Sequence, residues 1–322
     1  MNDSVLMYAA AAWAALAVVW LLGTKKLSCW PATTKDYLWP FLPVLVLAAV
    51  WLLAPAEHRD VVRLFGLVGV AMWVFLTLVW VLSVFKRDSS IMDIAYAMTS
   101  VLGAWATWWL LGADTSARTL LILAVVNLWG WRYTIYIAAR NLPHGEDVRY
   151  ARWRERSGAP WWWWSYFQIF LVQGVMIWLW FIPLGLALMV QGPLGVLELL
   201  ALAVWLVGFV FEAGADWQLT KFKRDPGNRG KVLSSGFWSQ SRHPNYFGEA
   251  TMWCSYGLLG LAHPWGWIAL LCTAYTVHMM NRGSATKMTD GYMKKRKPGY
   301  LEYAARTPSF LPRVFGGRPD AT

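Results

Sequence analysis

The stretch LFGLVGVAMWVFLTLVWVLSVF, from Leu64 to Phe85, runs for 22 residues without a charged side chain. A helix needs about 20 apolar residues to cross a hydrocarbon core of about 30 Å. The stretch therefore predicts a membrane-spanning helix. The whole chain has the same character, because 57% of its 322 residues are hydrophobic and only 15% are charged, against roughly 25% charged in a soluble domain.

Further apolar stretches on both sides of this one predict about nine spans in all. The fold class is thus an all-α, polytopic integral membrane bundle, since backbone polar groups inside lipid must be satisfied within each helix. The last two stretches are short and only Ala262, His263 and Pro264 separate them, so a re-entrant pair and a total of seven or eight spans is the alternative. The nine predicted spans are 5–23, 38–54, 61–85, 91–112, 117–139, 164–190, 195–217, 246–262 and 264–281.

The basic residues are distributed unevenly between the two sides of the predicted bundle. Alternate loops and the C-terminal tail hold 25 Lys and Arg residues, whereas the opposite side holds Arg59, Arg63 and Arg118. By the positive-inside rule, this asymmetry predicts an N-terminus outside and a C-terminus in the cytoplasm. The net charge of +11 is explained by topology and by anionic ligands, so we expect no nucleic-acid partner. The three cysteines have no paired spacing and predict no metal site.

Several ionisable side chains lie within or at the ends of the predicted spans, where each costs about 2.5–3.5 kcal/mol on insertion scales and marks a candidate site. Arg132, Tyr136 and Arg140 follow one another at intervals of four residues and share one helix face, which suits an elongated anion. Glu212 and Asp216 form a second such pair. The alternative for these groups is a purely structural interhelical ion pair.

Two shorter segments carry further candidate chemistry. Asp93 and Tyr96 share one face at the start of the fourth span, where the alternative for Asp93 is a simple first-turn acid. SRHPNYFGE, from Ser241 to Glu249, supplies a cation, an imidazole, an amide, a phenol and a carboxylate within nine residues. Pro244 suits a helix start, which places Asn245 and Glu249 on one face. Gly248 leaves room for a close helix contact.

SRHPNYFGE, together with the preceding FEAGADWQLTKFKRDPGNRGKV, resembles the bacterial branch of the steroid 5α-reductase family, known as domain of unknown function 1295. SIMDIAYAM, WGWRYTIYIAARN, GEDVRY and YLEYAARTPSFLP match in the same order, so the resemblance covers about residues 61–315. It implies a seven-helix reductase core that holds NADPH in a cavity open to the cytoplasm, with a lipid substrate entering laterally. We therefore expect extra helices in residues 1–58, a reductase-like domain over 59–315, and a flexible tail at 316–322. We expect the protein as a whole to lie in a bacterial inner membrane, with the cofactor site facing the cytoplasm.

The resemblance also implies roles for individual residues. Asn245, Glu249 and Asp216 resemble cofactor contacts of the family, Tyr136 and Arg140 resemble its cofactor-side helix, and Asp93 resembles the substrate-side acid of the steroid reductases. The tyrosine that accompanies this acid in the family aligns with Trp129, whose indole cannot donate a phenolic proton. This difference argues against steroid 5α-reduction as the reaction. The full candidate set is Asp93, Tyr96 and Tyr133 as catalytic residues, and Arg132, Tyr136, Arg140, Arg149, Glu212, Asp216, Lys223, Arg242, His243, Asn245, Tyr246, Glu249 and Tyr292 at the cofactor.

The predicted activity is hydride transfer from NADPH to an activated C=C bond of a lipid, such as a steroid-like enone, an isoprenoid or an unsaturated acyl chain. Either Asp93 or Tyr96 would act as the proton donor. For Asp93 this requires a buried, protonated carboxyl group. Two alternatives stay open. An isoprenylcysteine-type methyltransferase using S-adenosylmethionine also has an R-H-P-x-Y segment, and a lipid-binding or transport protein could use the same polar residues.

Overall fold

The computed structural model describes residues 3–27, 59–282 and 284–319. Within these ranges the chain is helical and has no β-strand. The α-helices are α1 (Asp3–Leu27), α2 (Arg59–Lys86), α3 (Ile91–Leu110), α4 (Ala117–Asn141), α5 (Val148–Ser157), α6 (Trp161–Ser165), α7 (Val172–Leu188), α8 (Val196–Arg224), α9 (Phe237–Gln240), α10 (Pro244–Gly260), α11 (Gly266–Arg282), α12 (Ser284–Arg296) and α13 (Tyr300–Arg306). Three short 3₁₀ segments and one π-helical segment, Tyr166–Leu171, complete the described structure.

Five helical segments are long and apolar enough to cross a membrane: Val5–Gly23, Arg59–Lys86, Ala117–His144, Trp161–Leu188 and Val196–Arg224. The predicted all-helical membrane protein is thereby confirmed. The fourth, eighth and ninth predicted spans are also helices, namely α3 with 20 residues and α10 and α11 with 17 each. None of these three helices combines the length and the apolar character needed to cross a membrane. The span predicted at 38–54 lies outside the described residues. The number of nine spans and the orientation stay predictions.

The chain divides into two compact units, one within residues 1–191 and the other within 192–322. In the first unit, α3 packs between α2 and α4 and also contacts α7. Small residues allow these close contacts. A methyl group at Gly103, for example, would stand 2.9 Å from the ring of Phe181. On α7, the indole N–H of Trp178 donates to the carbonyl of Phe65 at 3.0 Å, which satisfies a buried polar group inside an apolar contact.

In the second unit, α8 and α10 form the most extensive helix pair, and α10 also packs on α11. The chain enters α10 at Pro244 in the first helical position, where the missing N–H has no cost, as the sequence predicts. Gly208 of α8 and Gly248 of α10 face each other, because a Cβ on either residue would lie 2.5 Å from the carbonyl oxygen of the other. This contact brings the polar residues of α8 and α10 to one interface.

Candidate functional site

In the first unit, Asp93 lies in the first turn of α3 and accepts hydrogen bonds on both carboxylate oxygens. Arg149 Nη2 donates to Oδ2 at 2.7 Å, and the Tyr150 hydroxyl donates to Oδ1 at 2.6 Å. Gln173 Nε2 lies 3.4 Å from the same hydroxyl oxygen. Asp93 thus joins α3 to the loop helix α5 as an acceptor of two side-chain hydrogen bonds.

The electrostatics of α5 fit this arrangement. Burial alone would lower the pKa of the Arg149 guanidinium, but the negative charge of Asp93 and a hydrogen bond to Asp147 raise that pKa above its usual value. Burial, and then the nearby charge of Asp93, raise the pKa of the Tyr150 phenol well above its usual value. Arg149 therefore stays cationic and Tyr150 stays protonated at neutral pH.

Tyr96 and Tyr133, the two candidate phenols, lie in an aromatic cluster of the first unit. Their ring centroids are 5.5 Å apart. Trp129 lies 6.2 Å from Tyr96 and 6.1 Å from Tyr133, and Trp180 of α7 meets Tyr96 edge to face at 6.1 Å. The structure thus brings both phenols together beside the indole of Trp129.

Arg132, Tyr136 and Arg140 form the single stripe on α4 that their spacing predicts. The guanidinium carbons of Arg132 and Arg140 lie 5.8 Å and 5.7 Å from the centroid of the Tyr136 ring, within the range of cation–π attraction. Arg140 Nε also donates to Asn141 Oδ1 at 3.0 Å. One aromatic ring therefore holds two cations close together on this helix.

In the second unit, Arg242 and His243 converge on Asp290 of α12. Arg242 Nη2 lies 3.0 Å from Asp290 Oδ2, and His243 Nε2 lies 3.0 Å from Asp290 Oδ1. The other guanidinium nitrogen of Arg242, Nη1, donates to the carbonyls of Ala304 at 3.0 Å and Thr307 at 2.9 Å. The basic half of SRHPNYFGE is thus bound to the C-terminal segment of the chain.

Asp290 is the acidic centre of this network. Its Oδ1 also accepts the hydroxyl of Tyr300 at 2.5 Å. Burial alone would raise the pKa of Asp290, but the hydrogen bonds from His243 and Tyr300 and the charge of Arg242 outweigh it and hold that pKa well below its usual value. Burial, followed by the hydrogen bond to Asp290, raises the pKa of the Tyr300 phenol. The carboxylate is therefore ionised, with its charge compensated.

The candidate acids of α8 and α10 are buried. Glu212, Asp216 and Glu249 are 2%, 5% and 8% exposed, and Asn245 Nδ2 lies 3.4 Å from Asp216 Oδ1. Groups buried to this extent require polar partners. Within the described ranges, no cluster of His, Cys, Asp and Glu side chains could hold a metal ion.

The remaining candidates of the second unit are more peripheral. Tyr246 stacks on His243 with the ring centroids 5.4 Å apart. Tyr292 is 45% exposed and accepts a hydrogen bond from Arg296 at 3.0 Å. Lys223 is exposed near the end of α8. Tyr292 and Lys223 therefore lie at the surface, and Tyr246 lies beside His243 within SRHPNYFGE, apart from the buried acids of α8 and α10.

A cavity of about 590 Å³ opens beside the Arg242–Asp290 ion pair. Its walls come from α11, α12 and the segment that follows α13, and the side chains of Arg282, Lys294 and Arg318 line it. Sequence reasoning missed two central residues of these networks. Tyr150 stands in the matched segment GEDVRY, so its position was a usable signal, whereas nothing in the sequence around Asp290 marks that residue.

Comparison with known proteins supports one family. The family model described as "Protein of unknown function (DUF1295)" matches residues 79–307. An uncharacterized protein of Schizosaccharomyces pombe is 24% identical over 268 residues, which cover 75% of this chain and 77% of that protein. Delta(14)-sterol reductase TM7SF2 of Mus musculus is 28% identical over 173 residues, covering 46% of this chain and 39% of the reductase. The match spans most of the chain, which therefore belongs to the DUF1295 family.

Proposed function

We propose that this protein is a membrane-embedded reductase that uses NADPH to reduce an activated C=C bond of a lipid. The observation that carries the proposal is the cation-lined cavity of the second unit, which lies beside the ion pair between Arg242 of SRHPNYFGE and Asp290. Family membership and the partial similarity to a Delta(14)-sterol reductase support a reductase. Steroid-like enones, isoprenoids and unsaturated acyl chains are the proposed substrate classes.

The residues of the second unit suit a phosphorylated dinucleotide. Arginine side chains grip phosphate through two parallel N–H groups, and Arg282, Lys294 and Arg318 line one cavity. Asn245 and Glu249 supply an amide and a carboxylate, the groups that hydrogen-bond ribose hydroxyls and a carboxamide. When bound, NADPH would supply the hydride, for which protein side chains have no equivalent.

The proton donor is proposed among the phenols of the first unit. Both oxygens of Asp93 already accept hydrogen bonds from Arg149 and Tyr150, so neither oxygen is free to face a substrate carbonyl. Tyr96, with Tyr133 beside it, has a hydroxyl of the required kind. Hydrogen bonding to a carbonyl where negative charge develops is an established source of catalytic stabilisation.

Ligand binding tests the proposal. The full-length protein, purified in detergent, is titrated with NADPH, NADH and S-adenosylhomocysteine while its thermal midpoint is followed. A ligand present at 100 times its Kd stabilises the folded state by about 2.7 kcal/mol. We expect NADPH to raise the midpoint, and we expect Asn245→Ala and Glu249→Gln to abolish that rise. Trp162→Ala is the matched control, because Trp162 is 62% exposed and lies in the other unit.

The outcomes separate the alternatives. Stabilisation by S-adenosylhomocysteine without any effect of NADPH would replace the reductase with a methyltransferase. A protein that binds none of these ligands, yet binds lipid, would be a lipid-binding or transport protein. For the proton donor, Tyr96→Phe should lower turnover while leaving NADPH stabilisation intact, and full activity in that variant would refute the assignment.

A further inference from the structure

The segment after the family match ends, residues 308–319, folds back onto the second unit. The hydroxyl of Ser241 donates to the carbonyls of Ser309 at 3.2 Å and Phe310 at 2.8 Å. The ring of Phe315 stacks on Phe247 of α10 with the centroids 5.6 Å apart. We name residues 308–319 the C-terminal strap. Its polar and aromatic contacts make it part of the wall of the unit.

A tight turn sets the position of Arg318 within the strap. The amides of Phe315 and Gly317 both donate to the carbonyl of Pro312, at 2.9 Å and 3.0 Å. Gly316 has a φ of +84°, in the left-handed region that favours glycine. A Cβ at Gly317 would collide with the carbonyl of Leu311. The two glycines are therefore required for the turn that brings Arg318 to the cavity.

The cavity beside this turn has an excess of positive charge. Arg282, Lys294 and Arg318 line it, and in the described part of the chain no ion pair or hydrogen bond of their side chains is present. The one acid in the lining, Asp290, is already compensated by Arg242 and by hydrogen bonds. All three side chains are exposed, so water screens their mutual repulsion, but three cations that line one cavity still create a positive potential that favours a bound anion.

We infer that this cavity is the subsite for the 2′-phosphate of NADPH, and that Arg318 of the C-terminal strap makes the protein select NADPH over NADH. The inference rests on the proposed function. A phosphate monoester carries about −1.5 to −2 charges near neutral pH and three acceptor oxygens, whereas NADH has an uncharged ribose hydroxyl at the same position. Only the phosphorylated cofactor brings such an anion to the three cations that line the cavity.

The test compares Arg318→Gln with a control from the same strap. Arg313→Gln is matched in charge and substitution, because Arg313 is exposed and does not line the cavity. Kd values for NADPH and NADH are measured by calorimetric titration of the full-length protein in detergent. We expect Arg318→Gln to weaken NADPH binding about 10-fold or more, as for loss of one charge-assisted bond, and to change NADH binding less than 2-fold. Arg313→Gln should change neither Kd.

A second variant tests the turn with the cation retained. Gly317→Ala keeps Arg318 but cannot keep the turn, so we expect the same selective loss of NADPH affinity. Thermal midpoints without ligand show whether each variant is folded. If Arg318→Gln leaves NADPH affinity unchanged, or weakens NADPH and NADH equally, the inference is overturned while the reductase proposal stands. If the unmodified protein binds neither dinucleotide, the proposed function itself fails and the inference fails with it.

Discussion

Replacing Gly248 with alanine inserts a methyl group between two helices that touch through their backbones. The added Cβ would stand 2.5 Å from the carbonyl oxygen of Gly208 and would also collide with the amide nitrogen of Glu212. Ordinary contacts begin near 3.4 Å, so α8 and α10 must separate locally by about 1 Å, a shift that weakens the dispersion contacts around it.

The expected cost follows from two opposing effects. Overpacking of a well-packed interface costs about 1–3 kcal/mol. Alanine is also about 1 kcal/mol better than glycine inside a helix, which offsets part of that cost. Because the added Cβ would meet backbone atoms and not the end of a flexible side chain, we place the overpacking cost in the upper part of that range, at about 2–3 kcal/mol. We therefore expect Gly248→Ala to lower the free energy of unfolding by about 1–2 kcal/mol, which corresponds to a fall in the thermal midpoint of about 3–6 °C.

Gly291→Ala is the matched control in the same unit. Gly291 is helical and a Cβ there would meet nothing within 4 Å, so only the helix preference acts and the midpoint should rise slightly. Both variants are compared with the unmodified protein by differential scanning fluorimetry in one detergent. A midpoint for Gly248→Ala equal to or above that of the unmodified protein would refute the close contact between α8 and α10.

Two further perturbations test the ion networks. Because its partners lower the pKa of Asp290, its stabilising effect is complete above the usual aspartate pKa of about 3.9 and is lost as the pH falls below it. The thermal midpoint of the unmodified protein should thus fall more steeply between pH 5 and pH 3 than that of Asp290→Asn, and parallel curves would contradict this. Tyr150→Phe removes a hydrogen-bond donor from Asp93 and should lower the free energy of unfolding at pH 7 by about 1–3 kcal/mol. Tyr292→Phe, at an exposed tyrosine, is the control and should leave the free energy of unfolding almost unchanged.

The elements that sequence reasoning predicted best are those with local physical signals. Uninterrupted apolar runs gave the helices, and α2 extends from Arg59 to Lys86 where the sequence predicts a span at 61–85. Proline chemistry placed the start of α10 at Pro244, and the intervals of four residues placed Arg132, Tyr136 and Arg140 on one stripe. Each of these signals depends only on neighbours along one helix.

The features that the sequence did not predict depend on contacts between distant segments. Tyr150 reaches Asp93 across 57 positions, and Asp290 meets His243 across 47. Contacts between residues so far apart along the chain produce no periodic pattern in the sequence from which they could be predicted. The π-helical segment Tyr166–Leu171 is buried at all six positions, and its residues would suit an ordinary α-helix equally well, so the sequence does not predict it.

Arg242, the first residue of the R-H-P segment, has a structural role in the second unit. Arg242 donates to the carbonyls of Ala304 and Thr307 and pairs with Asp290, so its contacts hold the C-terminal segment against α10. Asn245 lies one helix position after Pro244 and faces Asp216 of α8, with Nδ2 3.4 Å from Oδ1. We therefore expect substitution of Arg242 to lower thermal stability together with affinity for every ligand, whereas substitution of Asn245 or Glu249 should lower the affinity for NADPH alone.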